Sequence, residues 1–112
     1  MIDKQLIKGS MKTVVLHLLS RRGMHGYEIS GELKMLGEGS FSVTEGTLYP
    51  LLHALEADKF VKSKMEEGQG KRKRKVYRIT EKGITVLEKK KAEWKQYRNV
   101  MEDLLVGQMQ GA

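Results

Sequence analysis

Residues 42–65 read SVTEGTLYPLLHALEADKFVKSKM, a stretch in which helical periodicity gives way to strand alternation. Leu48, Leu51, Leu52 and Leu55 recur at the spacing of a single helical face. They predict a helix over 44–59 capped by Thr44 or Ser42, with Ser42 and Glu45 at capping-box spacing. Pro50, lying beyond the first turn, removes one backbone hydrogen bond, which predicts a local kink and no break. Opposite the leucines stand Gly46, Pro50, Ala54 and Ala57, with His53 among them and Thr47 and Tyr49 at the edges. Small residues there let a helix backbone approach a nucleic-acid groove. The competing reading is a plain solvent face with Tyr49 tucked into the core. Phe60, Lys62 and Lys64 then alternate with Val61, Ser63 and Met65, as a half-exposed strand requires.

Working outward, Leu6, Ile7, Met11, Val14, Val15, Leu18 and Leu19 predict an amphipathic helix over 2–19 with Asp3 as N-cap. Arg21-Arg22-Gly23 closes it, the glycine being free to turn left-handed. A short second helix is predicted over 26–36, with Tyr27, Ile29, Leu33 and Leu36 on or beside one face and a turn at Gly37–Ser40. Downstream, Val76 and Tyr77 supply β-formers for a strand ending at Ile79. Between the strands lie Glu66–Gly70 and the unbroken basic run Lys71–Lys75, predicting a β-hairpin with a long, flexible, charged tip. Three helices followed by a hairpin is the order of a winged helix-turn-helix, a mainly α fold with a β-hairpin wing (α+β) whose third helix enters the major groove.

Composition agrees with a polyanionic partner. Twenty-one Lys and Arg against fourteen Asp and Glu leave a charge of +7 and a pI near 9.7. At 112 residues and 39% hydrophobic content, the expectation is one compact domain with an appended helix. No cysteine is present, so neither a disulfide nor a thiolate metal site can form. No apolar run approaches the ~20 residues of a membrane span, and the charged start MIDKQLIKG is unlike a signal peptide. These features predict a cytoplasmic protein. His17, His25 and His53 share no metal-ligand spacing, and Arg72 after Gly70-Lys71 breaks the phosphate-loop pattern. His25 reads as a helix-start residue. No enzyme, cofactor or metal site is expected.

From Thr80 helical periodicity resumes and runs to about Gln108, dividing the chain into a winged-helix DNA-binding domain over 1–79 and a dimerisation helix over 80–108. Leu87, Trp94 and Met101 repeat at seven-residue intervals, with Tyr97 and Leu104 three residues beyond the second and third. Such a seam predicts pairing with a second copy, an intramolecular fold-back being the alternative.

Four blocks carry a family resemblance: Leu6–Gly9, His25–Ile29, Ser42–Pro50 and Lys73–Gly83. In order and spacing they resemble the signature of the PadR family of bacterial winged-helix transcriptional regulators, across roughly residues 6 to 88. The single long C-terminal helix resembles the short subfamily, where that helix pairs two subunits. The resemblance implies a homodimeric repressor on a pseudo-palindromic double-stranded DNA operator, often with an ATGT/ACAT-type core. It implies that Thr44, Thr47, Tyr49 and His53 lie on or beside the recognition helix, and that Lys71, Arg72, Lys73 and Arg74 form the wing. The wing departs from the family pattern in that Gln69 separates its glycines and its basic residues are more numerous. Trp94 occupies the place where some drug-responsive members stack a planar compound at the dimer interface. This implies a small hydrophobic or aromatic ligand, with plain packing of Trp94 in the seam as the alternative. The rival functional class is a winged-helix interaction module whose basic hairpin binds protein, RNA or membrane.

Overall fold

The computed structural model describes residues 2–68, 70 and 72–107. In chain order the elements are α1 (Lys4–Arg21), β1 (Met24–His25), α2 (Gly26–Met35), α3 (Glu45–Ala57), β2 (Val61–Glu67), β3 (Lys73–Ile79) and α4 (Glu81–Glu102). This is a winged helix with a long C-terminal helix. Asp3 starts α1 by accepting the Gln5 N–H at 2.7 Å. At the other end Arg22 is extended, and Gly23 is not left-handed as expected. Its lack of a side chain serves space instead, since a Cβ there would lie 2.9 Å from the Arg78 side chain.

A capping box forms, but at α2 rather than at Ser42 and Glu45. His25 Nδ1 accepts the Glu28 N–H, and the Glu28 carboxylate accepts the His25 N–H, both at 3.2 Å. Thr44 is the N-cap residue of α3 without a side-chain cap, its hydroxyl lying 3.3 Å from that of Thr47. The helix passes through Pro50 unbroken and ends two residues earlier than expected. Lys59 turns left-handed at φ 63°, and Lys59 and Phe60 donate to the carbonyls of Glu56 and Leu55 at 3.0 and 2.9 Å. That pattern is a Schellman closure.

The core joins all of these elements: Val15, Leu16 and Leu19 of α1, Ile29 and Leu33 of α2, Leu48, Leu52 and Leu55 of α3, and Val61 and Tyr77 of the sheet. The sheet has three antiparallel strands in the order β1-β3-β2, where a two-stranded hairpin was expected. Met24 and His25 pair with Tyr77 and Val76, a strand too short to leave a periodic signal. The hairpin is also longer than expected. Lys73, Arg74 and Lys75 face Glu67, Glu66 and Met65 across the ladder, so they stand in a strand and not in a flexible tip. The connection is closed by the Gly68 N–H on the Arg72 carbonyl at 2.9 Å, and Lys71 lies outside the described residues.

Thr80 caps α4, accepting the Gly83 N–H at 3.0 Å and donating to the Lys59 carbonyl at 2.7 Å. Gly83 is pressed so closely against the preceding turn that a Cβ would fall 2.0 Å from the Phe60 carbonyl oxygen. Leu87 is 1% exposed and belongs to the core, which corrects its assignment to the dimer seam. Beyond Leu87 no described residue of α4 is buried, and the helix projects to give the molecule a 64 Å long axis. It ends in a wider turn over Asp103–Gly107, and Gln108 lies outside the described residues. No described helix is long and apolar enough to cross a membrane.

Candidate nucleic-acid interface

Because Leu48, Leu52 and Leu55 point α3 inward, its opposite face is turned out. Gly46, Thr47, Pro50, His53, Ala54 and Ala57 are all exposed there, with Thr44 exposed just before them. Tyr49 satisfies neither sequence reading completely. It is 37% exposed, and its ring crosses Gly26, where a Cβ would lie 2.8 Å from the hydroxyl.

The wing adds charge beside that face. Arg72, Lys73 and Arg74 are exposed and, among the described residues, have no carboxylate within ion-pairing distance. Toward the root of β3 the cations are compensated. Lys75 lies 3.7 Å from the Glu56 carboxylate, and Arg78 grips Glu66. The hydrogen bond from Arg78 holds the Glu66 carboxyl below its ordinary range. Along β3, uncompensated positive charge is therefore concentrated toward the tip. The Arg74 guanidinium lies beside His25, 3.3 Å from Nε2.

Between the wing and the helices lies an open cleft of about 660 Å³, lined by His25, Tyr27, Tyr49, Arg72, Arg74 and Lys75 among others. Tyr27 is 74% exposed and does not share the apolar face of α2, contrary to expectation. The geometry of the helix explains why. Two residues before Ile29 is a rotation of about 200°, which places Tyr27 on the far side of a helix whose inner face is set by Ile29 and Leu33. That rotation was the signal available in the sequence. The cleft presents hydroxyls and cations, so it can hold phosphate groups.

The distal half of α4 forms a separate surface. Trp94 is 52% exposed, Tyr97, Leu104 and Leu105 are exposed with it, and Met101 is partly buried. Trp94 and Tyr97 share a groove with Ile2, Leu6 and Ile7 of the N-terminal segment, and the Arg98 guanidinium stacks 5.5 Å from the Trp94 ring centre. The structure thus brings Trp94, Tyr97, Met101 and Leu104 onto one open stretch and leaves Leu87 out of it.

Comparison with known proteins gives a consistent result. The sequence pattern of the transcriptional regulator PadR-like family matches residues 15–89. The chain is similar to a transcriptional regulator from Clostridium thermocellum, with a TM-score of 0.85 and 30% identity, over 94% of this chain and 99% of that one. It is similar to a PadR-like transcriptional regulator from Bacillus cereus, with a TM-score of 0.82 and 32% identity, over 92% of this chain and 98% of that one. A transcriptional regulator of Mycobacterium tuberculosis is 34% identical over 84 residues, 75% of each protein.

Proposed function

The chain belongs to the PadR-like family of DNA-binding transcriptional regulators, and from that premise we propose a homodimeric repressor of a pseudo-palindromic operator. The family consists of regulators and not of enzymes. The observation that carries the reading is the exposed α3 face of small and polar residues beside uncompensated wing cations. Thr44, Thr47 and His53 reach base edges, while Tyr49 and the wing residues Lys71, Arg72, Lys73 and Arg74 meet phosphates. A wing of this kind supplies affinity by counterion release and carries little sequence choice.

Two subunits joined along Trp94, Tyr97, Met101 and Leu104 would set their α3 helices for half-sites about one DNA turn apart, ~34 Å. A hydrophobic or aromatic compound held against Trp94 would release the operator by favouring a different helix separation. A protein-docking α3 would carry large apolar anchors on its outer face. Small residues stand there instead, which favours DNA over the interaction module.

Mapping the DNA bound by the purified protein identifies the operator. On that sequence Thr47→Ala and His53→Ala should each cost about 1–3 kcal/mol, with far less effect on random duplex. Equal losses on both would reassign the two residues to the DNA backbone.

A further inference from the structure

Tyr27 is the most exposed of the four tyrosines, yet it stands in neither the recognition helix nor the wing. It borders two adjoining depressions. One runs along Arg72, Lys73, Arg74 and Lys75 of the wing, the other along Val43, Thr44 and Glu45 at the start of α3. Tyr49 borders both as well. The two tyrosines therefore form the ridge between the α3 N-terminus and the wing, and a DNA strand contacting both must cross it.

We propose that Tyr27 and Tyr49, together with Arg74, cradle one phosphodiester of the bound DNA backbone at this ridge. The proposal rests on the DNA-binding reading above and adds to it a contact from α2. Three features of the fold prepare the cradle. Gly26 is buried and has no side chain, which lets the Tyr49 hydroxyl settle against the start of α2. His25 pairs with Val76 in the sheet and caps α2 through Nδ1, so that β3 of the wing and the α2 start are held in one geometry. Arg78 occupies the Glu66 carboxylate, leaving the Arg74 charge uncompensated although Glu66 is its partner in the ladder.

The three contacts differ in kind. Arg74 attracts the phosphate and displaces a counterion, whereas each tyrosine donates a neutral, directional hydrogen bond. A phosphate held from three elements at once fixes how deeply and at what angle α3 enters the groove.

The difference in kind supplies the test. The operator fragment recovered by site mapping and a random duplex are each titrated with the full-length protein across a range of salt concentrations. Tyr27→Phe should weaken binding to both by about three- to tenfold, as loss of a single hydrogen bond predicts, with the slope of log Kd against log salt unchanged. Arg74→Gln should weaken both and lower that slope by about one. Phosphate-ethylation interference should reveal a backbone position whose modification hinders the wild type and no longer matters to Tyr27→Phe. Gly26→Ala, which drives a methyl group into the Tyr49 hydroxyl, should lose the same position.

Wild-type affinity in Tyr27→Phe overturns the cradle, and so does a loss confined to the operator, which would make Tyr27 a base reader. A wild type that bound neither duplex would overturn the DNA-binding reading itself. The two failures are thus distinguishable.

Discussion

The first two turns of α4 and its distal turns share one seven-residue register, interrupted by Lys90 and Lys91, and meet opposite fates. Gly83 and Leu87 are buried against their own chain, whereas Trp94, Tyr97 and Leu104 remain more than half exposed. The spacing is the same throughout. What differs is the surroundings, since the proximal turns are pressed against Phe60 and Ile79, whereas Trp94 and Tyr97 border an open groove along α1. One register thus does two jobs: its proximal part clamps the helix to the winged domain, and its distal part is left for another surface.

The largest expected effect lies in the clamp. Gly83→Ala places a methyl group 2.0 Å from the Phe60 carbonyl oxygen, with backbone on both sides of the clash. The substitution should cost about 3 kcal/mol or more, read as a collapse of the thermal transition. A melting temperature near wild type would show that the clamp can slide and that the two halves of α4 are less distinct than described.

The next test separates the halves directly. Leu87→Ala should lower subunit stability by about 2–5 kcal/mol through the cavity it opens in the core. Leu104→Asp should leave the fold intact and put a carboxylate in the proposed seam between subunits, yielding monomers by sedimentation. A variant at Leu104 that remained dimeric would place the subunit contact elsewhere.

The smallest effect concerns acid, and it should touch the winged domain while sparing the distal helix. Burial works to raise the Glu28 carboxyl, but hydrogen bonds from Arg22 and the His25 backbone outweigh it and leave the group below its ordinary range. A depressed carboxyl stabilises the fold above its unfolded pKa, and that contribution is lost as the pH falls through the folded value. Glu28→Gln should therefore flatten the acid limb of melting temperature against pH. Its cost near neutrality should stay below about 1 kcal/mol, because both partners are substantially exposed. An unchanged acid limb would remove this pair from the stability of the domain.

Much of the fold was legible because its signals are local. The leucines of α3, the Asp3 cap and the Thr80 cap each act within one helical turn, and all three stand where the sequence placed them. The missed features depend on partners distant in sequence. β1 is two residues long and exists because Tyr77 and Val76 arrive beside it, more than fifty residues later. Ser42 and Glu45 match a capping box by spacing, but His25 and Glu28 form one, and no four-residue pattern contains that choice. The candidate site divides in the same way. Thr47 and His53 were readable as the face opposite a leucine stripe, while helix rotation could tell that Tyr27 points outward but only the tertiary structure placed it between the wing and α3.

By itself, then, the sequence determined the order of elements, the inward face of α3, the sign of the wing and the kinship carried by its ordered blocks. Periodicity and charge are properties of neighbours along the chain, and they survive in one dimension. Only the tertiary structure decided that Leu87 is core while Trp94 is surface, that Lys73–Lys75 stand in a strand, and that Arg74 is left without a carboxylate partner because Arg78 takes Glu66. Burial and pairing depend on which distant groups arrive at the same place. A repeat of seven residues says that side chains share a stripe, and the packing of the rest of the chain decides where along that stripe water begins.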